Sequence, residues 1–244
     1  MHARVITNCA PSPSPSIVLV HGLGVSSRYM MPTAELLSPH ARVFAPDLPG
    51  FGLSLAPRRA LSIPELADAL ALWMQASGIE RAVLVGNSLG AQIIVDFAVR
   101  YPEFVSQAVL IAPTIDPQAR RFMRQVTRLL RDGLREPLSL LPIVIGDYLR
   151  TGLRRGARTL KFALRDKIED KLPLMQTRTL VVRGGRDPIV PQGWMEEATR
   201  LLPRARLVVI APAAHAVNYN SPDALVREVL LFINDEGGTM KDER

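Results

Sequence analysis

Arg81-Ala82-Val83-Leu84-Val85-Gly86-Asn87-Ser88-Leu89-Gly90-Ala91 is the stretch that decides the fold. The short apolar run Ala82 to Val85 reads as a strand, and the apolar periodicity from Ala91 to Tyr101 reads as a helix. Between them stands G-x-S-x-G. In a strand-turn-helix setting, that spacing lifts a serine hydroxyl to the tip of a tight, strained turn. Gly86 and Gly90 remove the Cβ atoms that would collide where strand and helix cross closely. Ser88 Oγ is then held clear of the backbone, above the N–H groups of a helix N-terminus, where negative charge is favoured.

Working outward, the same kind of apolar run recurs. Ile17–Val20, Ala41–Pro46, Ala108–Ile111, Thr179–Val182 and Leu207–Ile210 are short, rich in Val, Leu and Ile, and bounded by Gly or Pro. That is the profile of parallel strands buried on both faces. Ala3–Thr7 reads as an edge strand, followed by an extended Pro-Ser connection, Pro11 to Ser16. Helical patterns over Tyr29–Leu37, Pro64–Ala76, Trp194–Leu202 and Asp223–Ile233 alternate with the strands. The expected fold is α/β, a mostly parallel sheet with helices on both faces. Chemistry in such sheets sits beyond the carboxyl ends of the strands.

Thr114 to Leu172 breaks the rhythm and is helical in pattern almost throughout. It reads as an inserted helical cap, 114–172, over a core made of 1–113 and 173–244. Phe122, Met123, Val126, Leu129, Leu130 and Leu134 form an apolar stripe, expected to face inward. Arg124, Arg128, Arg131 and Arg135 are expected on the opposite face. Phe122, Met123, Leu129, Leu130, Leu140, Leu141, Ile143 and Val144 are candidates to line an apolar acyl pocket.

The 244 residues and 48% apolar content suit one large domain. No apolar run is long enough to span a bilayer, and the first ten residues do not resemble a signal peptide. One cysteine, Cys9, forms no internal disulfide and fits a reducing, cytoplasmic setting. The four His are scattered, without metal-ligand spacing. Residues 116–171 carry 14 Lys+Arg against 7 Asp+Glu, which accounts for the whole net charge of +7. No aromatics interleave with these cations, so nucleic acid is not an expected partner. Arg outnumbers Lys throughout, which favours a general compositional bias over a built patch.

With His21-Gly22-Leu23-Gly24, Asp47-Leu48-Pro49-Gly50-Phe51-Gly52-Leu53-Ser54, the Ser88 turn, Arg183-Gly184-Gly185-Arg186-Asp187-Pro188-Ile189-Val190-Pro191 and His215 after the last strand, the chain resembles the α/β-hydrolase superfamily over nearly its whole length. The order Ser, Asp, His is the order that family uses. The resemblance implies Ser88 as nucleophile, His215 as general base and acid, and Asp187 as the carboxylate that orients the imidazole. Asp116, shortly after the preceding strand, is the alternative acid. The resemblance further implies an oxyanion hole from the N–H groups of Leu23 and Leu89, with Gly22 and Asn87 bordering the substrate. His21 is expected to brace its glycine loop and Asp47 to fix a turn. No cofactor or metal is implied.

Ser at the elbow excludes the members of the superfamily that need an Asp nucleophile. A small to medium carboxylic ester is the favoured substrate. The alternative is C–C cleavage as in the meta-cleavage hydrolases, which place Asn before the nucleophile and use a cap Arg; Arg124, Arg128 or Arg154 would then grip a carboxylate. A low-turnover ligand-binding protein of the same fold is a third reading. An interfacial lipase using the Arg face on anionic lipid is a fourth, and stable membrane insertion is not expected. A small molecule is the expected partner, with a homodimer compatible.

Overall fold

The computed structural model describes residues 1–7 and 15–235. Cys9 and most of the Pro-Ser connection lie outside the described residues. Within them, one sheet is built from β1 (Ala3–Ile6), β2 (Ser16–Val20), β3 (Arg42–Pro46), β4 (Ala82–Asn87), β5 (Val105–Ile111), β6 (Thr179–Gly184) and β7 (Ala205–Ile210). Its order is β1-β3-β2-β4-β5-β6-β7. β1 pairs antiparallel at the edge, with Ala3 opposite Pro46; the other pairings are parallel. Val20 lies beside Gly86, Gly86 beside Leu110, and Ile111 beside Val182, so these strands finish close together along one rim. Every residue of β4 and β6 is buried, as their uninterrupted apolar runs require in a sheet covered on both faces.

The helices are α1 (Met31–Leu37), α2 (Ile63–Ala76), α3 (Leu89–Arg100), α4 (Phe122–Gly133), α5 (Leu141–Thr151), α6 (Leu153–Arg165), α7 (Ile168–Lys171), α8 (Gln192–Leu201), α9 (Val217–Asn220) and α10 (Pro222–Asn234). α2 starts where a capping box predicts, with Ser62 N donating to Glu65 Oε2 at 2.8 Å and Pro64 in the first turn. α3 is buried from Leu89 to Ala98 because it starts on the strand rim and runs back under the sheet. α4 to α7 occupy the stretch between β5 and β6.

The inserted helices depart from the periodicity reading. Phe122, Val126 and Leu129 pack against the core, but Met123, Leu130 and Leu134 of the same stripe stand exposed. Polar Gln125 and Asp132 take the buried positions of α4. Arg128, expected outside, turns inward; its guanidinium donates to Asp116 Oδ2 at 3.1 Å and to Ile189 O at 2.8 Å. α5 likewise buries Asp147 and Thr151 and exposes Leu141, Ile145 and Leu149. Met123, Leu130 and Leu141 therefore do not line an interior pocket. For α4 the reason is the surface that it and the turn after it meet. It is a rim of loops carrying free backbone groups, among them Ile189 O, His215 N and Ala216 N. Leucine there would strand those groups unpaired, at a cost of about 1–3 kcal/mol each.

Candidate active site

Ser88 sits at φ 56°, ψ −116°, a conformation that L side chains rarely adopt. Strain of this kind persists only where the surroundings over-determine it. Here Ser88 N donates to Ile111 O at 2.8 Å, pinning the turn to β5, and α3 starts at the next residue. The flanking glycines are obligatory. A Cβ on Gly86 would lie 2.6 Å from Gly90 C, and one on Gly90 would run into the Val20 carbonyl. Ser88 is half-buried between fully buried Asn87 and Leu89.

The loops after β6 and β7 bring an acid to a histidine. His215 Nδ1 lies 2.8 Å from Asp187 Oδ2. Asp187 Oδ1 accepts from Ile189 N at 2.7 Å and Val190 N at 3.0 Å. The Arg183 guanidinium frames that loop from below, donating to Val190 O, Gly185 O and Asp187 O. A carboxylate so occupied fixes the proton on Nδ1 and leaves the Nε2 lone pair free. Nε2 is buried and has no hydrogen-bond partner among the described residues.

The charges follow from these contacts. Burial pushes Asp187 up, but His215 and the two backbone N–H groups outweigh it and hold the carboxyl below its ordinary range. Burial pushes His215 down, but the charge and hydrogen bond of Asp187, with Asp132 and Glu136 beyond, raise it to about 9. The pair is arranged to stabilise an imidazolium.

Three further residues hold the histidine loop, and no local sequence signal assigned them this task. Asn87 Nδ2 donates to His215 O at 3.1 Å, and Asn87 Oδ1 accepts from Tyr29 Oη at 3.0 Å. The Asn87 side chain, expected to border the substrate, thus ties the elbow to the histidine loop. Asp132 Oδ1 accepts from His215 N at 3.3 Å, and Glu136 Oε1 accepts from Ala216 N at 2.7 Å. Burial above all raises Asp132 to about 7, against the opposing pull of His215. Asp132 lies in the last turn of α4 and Glu136 in the turn that follows it.

Asp116 is not on the histidine; its carboxylate takes Arg128 and Gln118 N. His21 is fully buried and lowered by burial. Its Nε2 accepts from Leu48 N at 3.0 Å, so Nδ1 carries the proton and donates to Gly22 O at 2.8 Å. It braces the Gly22–Leu23 loop. A Cβ on Gly22 would come 3.6 Å from Ser88 Cβ, which places that loop directly beside the serine. Asp47 accepts from Ser27 N and Leu53 N and so ties two turns together. Leu89 opens α3, so its N–H is among the first-turn donors without an intrahelical acceptor. Of the three candidate arginines, Arg128 is committed to Asp116, Arg124 donates to Gln118 O, and Arg154 is exposed.

Ser88 on its strained elbow stands beside the glycine loop, and the neighbouring Asn87 holds the histidine loop, but no hydrogen bond joins Ser88 to His215 Nε2 among the described residues. The model of the alpha/beta hydrolase family matches residues 17–228. RutD of Pseudomonas savastanoi pv. phaseolicola, whose name gives carbamate hydrolysis as a provisional activity, is 29% identical over 94% of this chain and 97% of its own length. Esterase YbfF of Escherichia coli K12 is 25% identical over 90% of this chain and 93% of its own. The enol-lactonase of Burkholderia xenovorans LB400 superposes with a TM-score of 0.81 at 24% identity, covering 95% of each chain.

Proposed function

Because this chain belongs to the alpha/beta hydrolase family, we propose that it is a serine hydrolase that cleaves a small to medium carboxylic ester through an acyl-enzyme on Ser88. The observation that carries this reading is the pairing of His215 Nδ1 with Asp187 at 2.8 Å, with Nε2 left free. In the proposed mechanism Nε2 takes the Ser88 proton as Oγ bonds to the carbonyl carbon. The tetrahedral oxyanion is held by the N–H groups of Leu23 and Leu89, each worth about 3 kcal/mol in the barrier. The alcohol leaves with the proton from His215. Water, deprotonated by the same imidazole, then attacks the acyl carbon and frees Ser88. Asp187 keeps the imidazole in the productive tautomer and stabilises its cation.

Residues 114–172 act in this reading as a cap whose α4 clamps the histidine loop. Esterase-named relatives support ester chemistry, and the carbamate-named relative supports carbonyl attack more broadly. The inward commitment of Arg128 weighs against the C–C hydrolase alternative, since that guanidinium already serves Asp116. The test is turnover of p-nitrophenyl esters from acetate to palmitate by wild type and Ser88→Ala. Hydrolysis of a subset by wild type alone supports the proposal, and the preferred chain length sizes the pocket. Silence of folded wild type on every ester would move C–C cleavage and ligand binding ahead of it.

A further inference from the structure

α4 and α5 turn their acids inward and leave about half of their large apolar residues exposed, while Phe122, Val126, Leu129, Ile143 and Val144 pack on the core. Met123 (68% exposed), Leu130 (70%) and Leu134 (89%) fall at i, i+7 and i+11, one ridge along α4 and just past its end. Leu138 (85%), Leu149 (78%) and Leu153 (79%) extend the apolar surface along and around α5. Isolated exposed leucines are ordinary. Here, eight of the seventeen large apolar side chains that stand exposed among the described residues fall within 123–153. Exposure this high means protrusion; these side chains stand out from the surface and do not line a groove.

The charge on the same surface has one sign. Residues 121–165 hold eleven Lys+Arg and three acids. All three acids are turned inward: Asp132 and Asp147 are buried, and Glu136 is tied to Ala216 N and Asn220 Nδ2. Arg124, Arg131, Arg150, Arg154, Arg158 and Lys161 are exposed. The outer face is therefore cationic with protruding leucines. Compositional bias explains many arginines, but not the turning of all three acids inward beneath a surface that leaves eight large apolar side chains exposed.

We propose that this face docks reversibly on an anionic lipid surface, with the leucines seated at the headgroup–acyl boundary and the guanidinium groups on lipid phosphates. Helices with apolar ridges beside Arg and Lys bind membranes in this way, by apolar area together with attraction to anionic headgroups. A deformable bilayer accepts protruding side chains without matching recesses. A second copy of the chain would bring cations against cations across a two-fold axis. No helix among the described residues is long and apolar enough to cross a membrane, so the docking is peripheral.

The test is co-flotation of the full chain with phosphatidylcholine vesicles, with and without phosphatidylglycerol. Ser88→Ala is used so that the lipids stay intact. Binding is read without turnover, so its failure would leave the hydrolase reading standing. The chain is expected to float with the anionic vesicles, to stay behind with phosphatidylcholine alone, and to be released by about 0.5 M salt. Leu134→Ser with Leu149→Ser, at an unchanged melting temperature, is expected to lower the bound fraction at least about tenfold. No flotation with anionic vesicles would overturn the proposal. So would flotation indifferent to the leucines, which would reduce the face to a charge effect. A dimer in sedimentation equilibrium that the leucine substitutions break, with vesicles unbound, would assign the face to a second copy of the chain.

Discussion

The strand rim and the inserted helices follow opposite rules. On the rim, apolar side chains are buried, and Asn87, Asp187 and His215 hold one another's loops through side-chain and backbone hydrogen bonds, with His215 Nε2 left without a partner among the described residues. In α4 and α5 the fully buried side chains are polar, Gln125, Asp132, Asp147 and Thr151, while Met123, Leu130, Leu141, Ile145 and Leu149 stand exposed. α4 and the turn after it are thus held to the core by polar recognition of loops, through Asp132, Glu136 and Arg128, as well as by the apolar contacts of Phe122, Val126 and Leu129. A helix held that way positions the histidine loop while leaving its apolar ridge for something else.

The largest break of this comparison is at the rim. Asp187→Asn should leave the fold intact and lower kcat on the preferred ester by about 10⁴-fold, because an amide there favours the wrong imidazole tautomer. A loss under about tenfold would mean Asp187 is not the orienting acid.

Next come stabilities. Leu84→Ala, inside β4, should cost about 3 kcal/mol in urea denaturation. Leu134→Ser, on the outer ridge of α4, should stay within about 0.5 kcal/mol of wild type. Comparable losses for the two would mean that Leu134 is packed and the inside-out reading of α4 is wrong.

The smallest effect is electrostatic. kcat/KM should rise with pH as His215 loses its proton, along a limb above the ordinary imidazole range, since His215 is raised to about 9. Ionised Asp132 helps to hold that proton. Asp132→Asn removes the anion, weakens proton binding, and should move the limb to lower pH. An unmoved limb would uncouple α4 from the imidazole.

All seven strands were legible in place, because unbroken Val, Leu and Ile runs between Gly and Pro have few other uses, but β4 to β7 each run two or three residues beyond the apolar run. The elbow was legible because Gly86 and Gly90 are the residues that a close crossing demands. Asp187 is the acid expected from its place after the Thr179–Val182 strand and from the Ser, Asp, His order, and the loops after β6 and β7 bring it to His215, while Asp116 goes to Arg128. The outward turn of α4 was not legible, since periodicity defines a face without saying which way it points. Its direction is set by Ile189 O, His215 N and Ala216 N, all more than fifty residues away in sequence. The bracket from Asn87 to His215 O, 128 residues apart, is hidden for the same reason.

The proposed mechanism requires Ser88 to carry an acyl group during turnover. Rapid acid quench of wild type with its preferred p-nitrophenyl ester, followed by digestion and mass spectrometry, tests it directly. An acyl mass is expected on the peptide that holds Ser88, in step with a burst of p-nitrophenol, and neither in Ser88→Ala. Steady turnover with that peptide unmodified, and undiminished in Ser88→Ala, would contradict it.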